Sequence, residues 1–282
     1  RRRRSGGATM AKAMPPGVGR LNAVLGGIGR AAVAVSGGVD SMTLALLAGR
    51  RPGANCAMFH AVSPAVPAEA TARVQAFAAR EGWRLTVLDA GEFDDPAYRA
   101  NPANRCFYCK TNLYGALAAR TDAILLSGTN ADDLGDWRPG LEAAEDHGVR
   151  HPFVEAGIDK AQVRAIADAL GFDDLARLPA APCLSSRIET GLRVEADDLA
   201  SIHAAERYLA RQLRPETVRC RRRKAGIVIE LDEATLAALS EGRRDALGAT
   251  VAGMFATCEH AGPVSFAPYR MGSAFARPAQ PA

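Results

Sequence analysis

The chain has 282 residues, 48% of them hydrophobic and 23% charged, with six cysteines and a formal net charge of +4. That length suits one large or two moderate domains with ample core, and no apolar run approaches the roughly 20 residues that a membrane-spanning helix needs. Arg1 to Arg4 supply the whole net charge, beyond which 31 basic residues face 31 acidic ones, a balance that disfavours a nucleic-acid partner.

The opening "RRRRSGGATMAKAMPPGVG" has no apolar h-region and is not a secretory signal. Residues 1–19 are expected to form a disordered leader, or read-through upstream of Met10 or Met14. Cysteines at 56, 106, 109, 183, 220 and 258 are too sparse for a disulfide scaffold, which suits a reduced, cytoplasmic enzyme.

The next stretch, "AVAVSGGVDSMTLALLAG" (32–49), runs from small apolar and β-branched residues into a glycine pair and then into helical spacing. Ala31–Val35 predicts a buried strand, and Met42, Leu44, Ala45 and Leu47 predict a helix. Gly37 and Gly38 allow a tight turn and close backbone approach, and a glycine turn feeding a helix N-terminus is an anion site. The loop has neither the Lys-Ser/Thr pair of a Walker A motif nor the G-x-G-x-x-G of dinucleotide binders.

Alternation continues with strands at "NCAMFHAV" (55–62), "WRLTVLDA" (83–90) and "DAILLSGTN" (122–130). Helices are predicted at "AEATARVQAFAAREG" (68–82), "CKTNLYGALAART" (109–121) and "DKAQVRAIADALG" (159–171). This is the pattern of a doubly wound parallel sheet, with the phosphate loop at its switch point. A composition break at Pro179-Ala180-Ala181-Pro182 predicts a hinge, separating a nucleotide domain (20–182) from a smaller α+β domain (183–282). The latter begins with a helix at about 195–212, then strands "TVRCRRR" and "GIVIEL", then two further helical stretches.

Three more stretches carry chemistry. In "NRCFYCK" (104–110), Cys106 and Cys109 form a C-x-x-C pair suited to one metal or cluster, a redox couple or packed core thiols. No second C-x-x-C completes a zinc ribbon, and the start of a thioredoxin-like unit is absent. In "SGTNADDLGDWRPG" (127–140), Asn130, Asp132, Asp133 and Asp136 gather polar and negative groups after a strand, fit to hold Mg²⁺ or the ribose, or simply to cap a helix. In "PAAPCLSSRIETG" (179–191), Cys183 follows the hinge and precedes Arg187, which could favour its thiolate; a buried structural cysteine is the plainer alternative. His60, His147, His151, His203 and His260 show no ligand spacing and are read as structural or surface residues.

Ser36-Gly37-Gly38-Val39-Asp40-Ser41 resembles the PP-loop of the ATP pyrophosphatase superfamily, whose members have an adenine nucleotide alpha hydrolase-like fold and cut ATP between the α- and β-phosphates. The ordered set SGGVDS, RCFYCK, GTNADDLGDWRPG and PCLSSR, from about Arg20 to about Glu230, resembles the LarE family more specifically. These are ATP-dependent sulfur transferases of nickel-pincer nucleotide synthesis, which adenylate a carboxylate of pyridinium-3,5-biscarboxylic acid mononucleotide and convert it to a thiocarboxylate. The resemblance implies that Ser36, Gly37, Gly38, Asp40, Ser41, Gly128 and Asn130 bind ATP, and that Asp40 and Asp132 hold Mg²⁺. It implies Arg187, Glu206, Arg219 and Arg221 at the acceptor, the last two on its phosphate, and strand alternation sets these two opposite Cys220.

The resemblance implies that Asp40 and Cys183 carry the catalytic roles. In single-cysteine members the equivalent of Cys183 gives up its own sulfur and ends as dehydroalanine. Members with the C-x-x-C pair resemble a second type, in which Cys106, Cys109 and Cys183 would hold a [4Fe-4S] cluster, and this is the type expected here. A small-molecule nucleotide substrate, no membrane and a homo-oligomer are implied. Two departures stand out: "DLARLPAAPC" lacks the usual Trp-Asp before the motif cysteine, and Ser127 replaces a common Asp. The rival readings are an ATP-dependent amidotransferase like NAD or GMP synthetase, a tRNA thiolation enzyme, and a non-catalytic nucleotide sensor. The three placed cysteines argue against the first, the charge balance against the second, and an intact Asp40 against the third.

Overall fold

The computed structural model describes residues 13–135, 138–180, 182–259 and 262–275; most of the expected leader, Asp136 and His260 lie outside them. The first half alternates helix and strand: α1 (Val18–Gly26), β1 (Arg30–Ala34), α2 (Val39–Arg50), β2 (Asn55–Ala61), α3 (Ala68–Glu81) and β3 (Leu85–Leu88). A short turn of helix, α4 (Pro96–Arg99), precedes α5 (Arg105–Ala118), β4 (Ile124–Leu126) and a 3₁₀ turn at Ala131–Gly135. Then come α6 (Pro139–Asp146), α7 (Pro152–Glu155), α8 (Lys160–Ala169) and α9 (Asp173–Ala176).

These strands form a parallel sheet in the order β3-β2-β1-β4. The chain moves outward from β1 through β2 to β3, then returns to the other side of β1 with β4. The order therefore reverses at β1, the strand that carries the phosphate loop, as the sequence predicts. The faces of β1 divide cleanly: Ala31, Val33 and Val35 pack with α1, α2 and α8, whereas Ala32 packs with Tyr114 and Leu117 of α5. The sequence of α2 has no charged residue between Asp40 and Arg50, and nine of its twelve residues are buried. Such an all-round apolar helix must be interior, and each fully buried Leu contributes about 1.5–3 kcal/mol of burial. A rigid helix thus begins at the phosphate loop.

Beyond a 3₁₀ turn at Leu184–Arg187, the smaller unit holds α10 (Ala196–Leu213), β5 (Val218–Arg223), β6 (Gly226–Leu231), α11 (Glu233–Ala237), α12 (Glu241–Met254) and β7 (Val264–Pro268). Its sheet is mixed, with β5 antiparallel and β7 parallel to β6. Leu199, Ile202, Ala205 and Leu209 of α10 pack on Cys220, Ile227 and Ile229. Ala65, Tyr98, Phe93 and Tyr108 of the first half join that same core, so the approach to α5 is packed against the smaller unit. No described helix is long and apolar enough to cross a membrane.

Candidate functional site

Ser36–Ser41 links β1 to α2 at the C-terminal edge of the sheet. Gly37 sits at φ +83°, and a Cβ there would stand 2.8 Å from the carbonyl oxygen of Ala70, so both conformation and space demand glycine. Ser41 Oγ accepts from the Ser36 backbone N–H at 3.0 Å and lies 3.0 Å from Ser36 Oγ, which closes the loop. Gly38, in extended conformation, is the N-cap of α2 and has no side chain to occupy the free N–H groups. Buried His60 buttresses the turn, donating from Nδ1 to Val35 O at 2.7 Å while Nε2 accepts from Thr71 Oγ1 at 2.9 Å.

The loop after β4 presses against this turn. A Cβ on Gly128 would lie 2.6 Å from the Ser41 nitrogen, a contact that only glycine permits. Asn130 Nδ2 donates to Asp40 Oδ1 at 3.2 Å, and its Oδ1 accepts from the Asp132 N–H at 3.1 Å. Lys160 joins them from the start of α8: its Nζ pairs with Asp40 Oδ2, and its backbone N–H donates to Asp132 Oδ2 at 3.1 Å. A capping box between Asp159 and Gln162 fixes that helix start. The sequence reading misses Lys160, because only the fold brings it 120 residues back to Asp40. Two carboxylates beside an anion loop suit Mg²⁺ held jointly with substrate phosphates, although Lys160 bridges them here. Ser127, where an Asp is usual, lies 2.7 Å from His151 Nδ1 and 2.9 Å from Thr129 Oγ1.

Cys106 and Cys109 lie three residues apart in the first turns of α5 and so share a face. Cys183 caps the 3₁₀ turn Leu184–Arg187, and the Leu184 N–H donates to Ala65 O at 2.9 Å in the loop after β2. That bond ties the Cys183 segment to the same sheet edge as the phosphate loop. Burial pushes the Cys109 thiol up to about 12 and raises Cys106, and Cys183 adds to both shifts. The three thiols therefore lie within one another's field. Lys110 shares that field, its amine raised first by Tyr114, whose ring centroid is 5.6 Å away, and then by the cysteines. The donor chemistry suits an iron–sulfur cluster; among the described residues, however, no group of three His, Cys, Asp or Glu is gathered so as to hold a metal ion.

Arg187 and Glu206 form a bidentate pair at 3.0 and 3.1 Å, and Arg187 also donates to Pro182 O and Cys183 O at 2.7 and 3.2 Å. It thereby holds the Cys183 backbone. Glu206 additionally accepts from the Cys220 N–H at 3.0 Å. Arg219 and Arg221 have different surroundings. Arg219 is half-buried near Tyr269, and its guanidinium pKa is lowered by burial and by Arg187. Arg221 is 4% exposed and donates to Glu230, itself 2% exposed, at 3.0 Å and to Ser186 O at 3.1 Å. The other cysteines stand apart: burial raises Cys56 to about 11 and lifts Cys220 well above the usual thiol range, and Cys258 lies 3.4 Å from Ser201 Oγ.

No protein-family model matches the sequence. The chain is 38% identical over 195 residues to an uncharacterised protein of Synechocystis sp., covering 68% of this chain and 72% of that one. It is 32% identical over 224 residues to the pyridinium-3,5-bisthiocarboxylic acid mononucleotide synthase of Lactiplantibacillus plantarum, covering 77% and 79% respectively. An uncharacterised protein of Methanocaldococcus jannaschii is 26% identical over 205 residues, covering 71% and 77%.

Proposed function

Because the chain belongs to the LarE family of pyridinium-3,5-bisthiocarboxylic acid mononucleotide synthases, we propose that it is an ATP-dependent sulfur transferase of nickel-pincer nucleotide synthesis. The observation that carries this reading is the convergence of Asp40, Asn130, Asp132 and Lys160 at the switch-point loop, with the Cys183 segment anchored to the same sheet edge.

Ser36, Gly37, Gly38 and Ser41 cradle the β- and γ-phosphates with loop N–H groups and hydroxyls. Asp40 and Asp132 would hold Mg²⁺, which would offset the phosphate charge, and Gly128 and Asn130 line the nucleotide. When ATP enters, Lys160 exchanges its carboxylate partner for phosphate oxygens. A carboxylate oxygen of pyridinium-3,5-biscarboxylic acid mononucleotide attacks the α-phosphorus, the bond to the β-phosphate oxygen breaks, and pyrophosphate leaves. Sulfur then attacks the acyl carbon and AMP departs, leaving a thiocarboxylate. We place Cys106, Cys109 and Cys183 as ligands of a [4Fe-4S] cluster, which would supply an iron position open to a sulfur ligand. In the alternative route, Cys183 Sγ itself forms the thioester; loss of its α-proton then breaks the Cβ–Sγ bond and leaves dehydroalanine.

Incubation with ATP, Mg²⁺ and the dicarboxylate mononucleotide should yield AMP, pyrophosphate and a thiocarboxylate seen by mass spectrometry. An amide product formed with ammonia would overturn the reading in favour of an amidotransferase.

Arg219→Ala should raise the acceptor KM about 10- to 100-fold, since a charge-assisted hydrogen bond to phosphate is worth roughly 1.5–3 kcal/mol, while the KM for ATP stays put. Arg221→Ala should instead lower thermal stability, because the buried Glu230 carboxylate loses its most buried partner and keeps only Arg223 and the Ser273 hydroxyl. Steady-state kinetics and calorimetry separate the two; a weakened ATP affinity with unchanged acceptor binding in Arg219→Ala overturns the assignment.

A further inference from the structure

We propose that Arg105 is a positioning residue for sulfur transfer, its guanidinium setting where Cys183 stands relative to Cys106 and Cys109. The inference rests on the reading of Cys183 as a sulfur-transfer residue, and it assigns a role to a side chain that touches neither ATP nor acceptor.

Arg105 opens α5 and immediately precedes Cys106, yet its side chain is only 2% exposed. Its Nη1 crosses to the 3₁₀ turn and donates to Ser185 O, two residues after Cys183, at 3.0 Å. The same nitrogen donates to Asn101 Oδ1. Asn101 adopts a left-handed conformation at φ +54°, uncommon outside glycine, and continues the connection. Its Nδ2 donates to Glu189 O at 2.9 Å, and its backbone oxygen accepts from the Gly191 N–H at 2.8 Å. One turn earlier, buried Tyr98 places its hydroxyl 2.7 Å from Ser185 Oγ. Residues 98, 101 and 105 thus grip residues 185 to 191 in a single hydrogen-bonded strap. One end of it is covalently next to the C-x-x-C pair, and the other is two residues from Cys183.

A burial argument strengthens the point. Among the described residues no carboxylate lies within ion-pair distance of Arg105, and its Nη2 has no hydrogen-bond partner. A buried guanidinium without a counter-ion is an expensive way to tie two segments together. Fixed fork geometry is what arginine offers that a neutral side chain does not. Small displacements matter here, because misplacing a reacting group by about 1 Å can lower a rate about 100-fold.

The test uses the full-length chain carrying Cys109→Ser, so that Cys106 and Cys183 are the pair to be bridged. Dibromobimane, a short thiol-bridging reagent, is added without ATP or acceptor, and the Cys106–Cys183 bridge is followed by fluorescence and peptide mass. Adding Arg105→Met should slow bridging about tenfold, and Arg105→Lys should recover part of the rate. Tyr98→Phe, which keeps the ring in the core, should slow it less but in the same direction. In the chain with all its cysteines, Arg105→Met should lower thiocarboxylate formed per AMP released, a ratio that general destabilisation leaves alone. Bridging at the parent rate in Arg105→Met overturns the proposal. If that variant does not fold, bridging at the parent rate in both Arg105→Lys and Tyr98→Phe does so. Slowed bridging in a protein whose parent makes no thiocarboxylate would retain the positioning role and reject the functional reading.

Discussion

Asp40→Asn should lower acceptor-dependent pyrophosphate release by roughly 100-fold or more while leaving the thermal midpoint nearly unchanged. The two effects differ in size because Asp40 does two different jobs. In the ligand-free fold it pairs with Lys160 and accepts from Asn130, and both ends of the Lys160 pair are partly exposed. Such a pair is worth about 0.2–1 kcal/mol, and the amide retains an oxygen that can accept from Asn130 and Lys160. On the proposed reading, the same carboxylate would hold Mg²⁺ beside the leaving pyrophosphate during turnover. A hard cation prefers a charged oxygen, and the amide supplies only a dipole. Pyrophosphate release measured with and without acceptor checks the kinetic half, and calorimetry the structural half. Full activity in Asp40→Asn, or ADP and inorganic phosphate as products of the parent chain, would sink the adenylation reading.

The parts of the molecule legible in the sequence are those where one local pattern carries all the information. SGGVDS announces its turn because Gly37 must adopt φ +83° beside Ala70 and because α2 is apolar on every side. The four parallel strands announce themselves by short apolar runs, and their parallel pairing follows from helix-length crossovers, whereas the order β3-β2-β1-β4 emerges only in the fold. By contrast, α1 hides among Gly17, Gly19, Gly26 and Gly27, whose poor helix propensity masks Val18, Leu21 and Leu25 packing onto the core. β7 is framed by Pro263 and Pro268, which normally argue against a strand, and it forms as an edge strand pairing with β6 alone. Lys160 and Arg105 are visible only after folding, since their partners lie 120 and 80 residues away. Strand alternation sets Arg219 and Arg221 opposite Cys220, but alternation says nothing of depth. The Cys183 segment covers β5 at Ser186, and that cover leaves Arg219 half-open and encloses Arg221 with Glu230.

Cys183→Ser should abolish thiocarboxylate formation altogether while pyrophosphate release with acceptor continues. A hydroxyl can neither give up sulfur nor serve as a soft ligand to iron, so the loss is expected on both routes to product. What separates the routes is the state of Cys183 after turnover. With a cluster, anaerobic reconstitution with iron and sulfide should give a brown protein. That colour should disappear in each of Cys106→Ser, Cys109→Ser and Cys183→Ser and persist in Cys258→Ser, whose thiol sits away from the trio beside Ser201. Cys183 should then survive turnover unchanged in mass. On the sacrificial route the protein stays colourless, Cys183 loses the mass of hydrogen sulfide, and each chain delivers a single sulfur. Three thiols leave one iron without a protein ligand, as a reactive cluster requires, whereas a fourth would close it. The shared face of Cys106 and Cys109 and their mutual field with Cys183 favour the first outcome, because Cys106 and Cys183 are both exposed whereas a merely packed pair would bury its thiols. A colourless reconstituted protein together with dehydroalanine at position 183 would defeat the cluster and leave Cys183 as the sulfur donor.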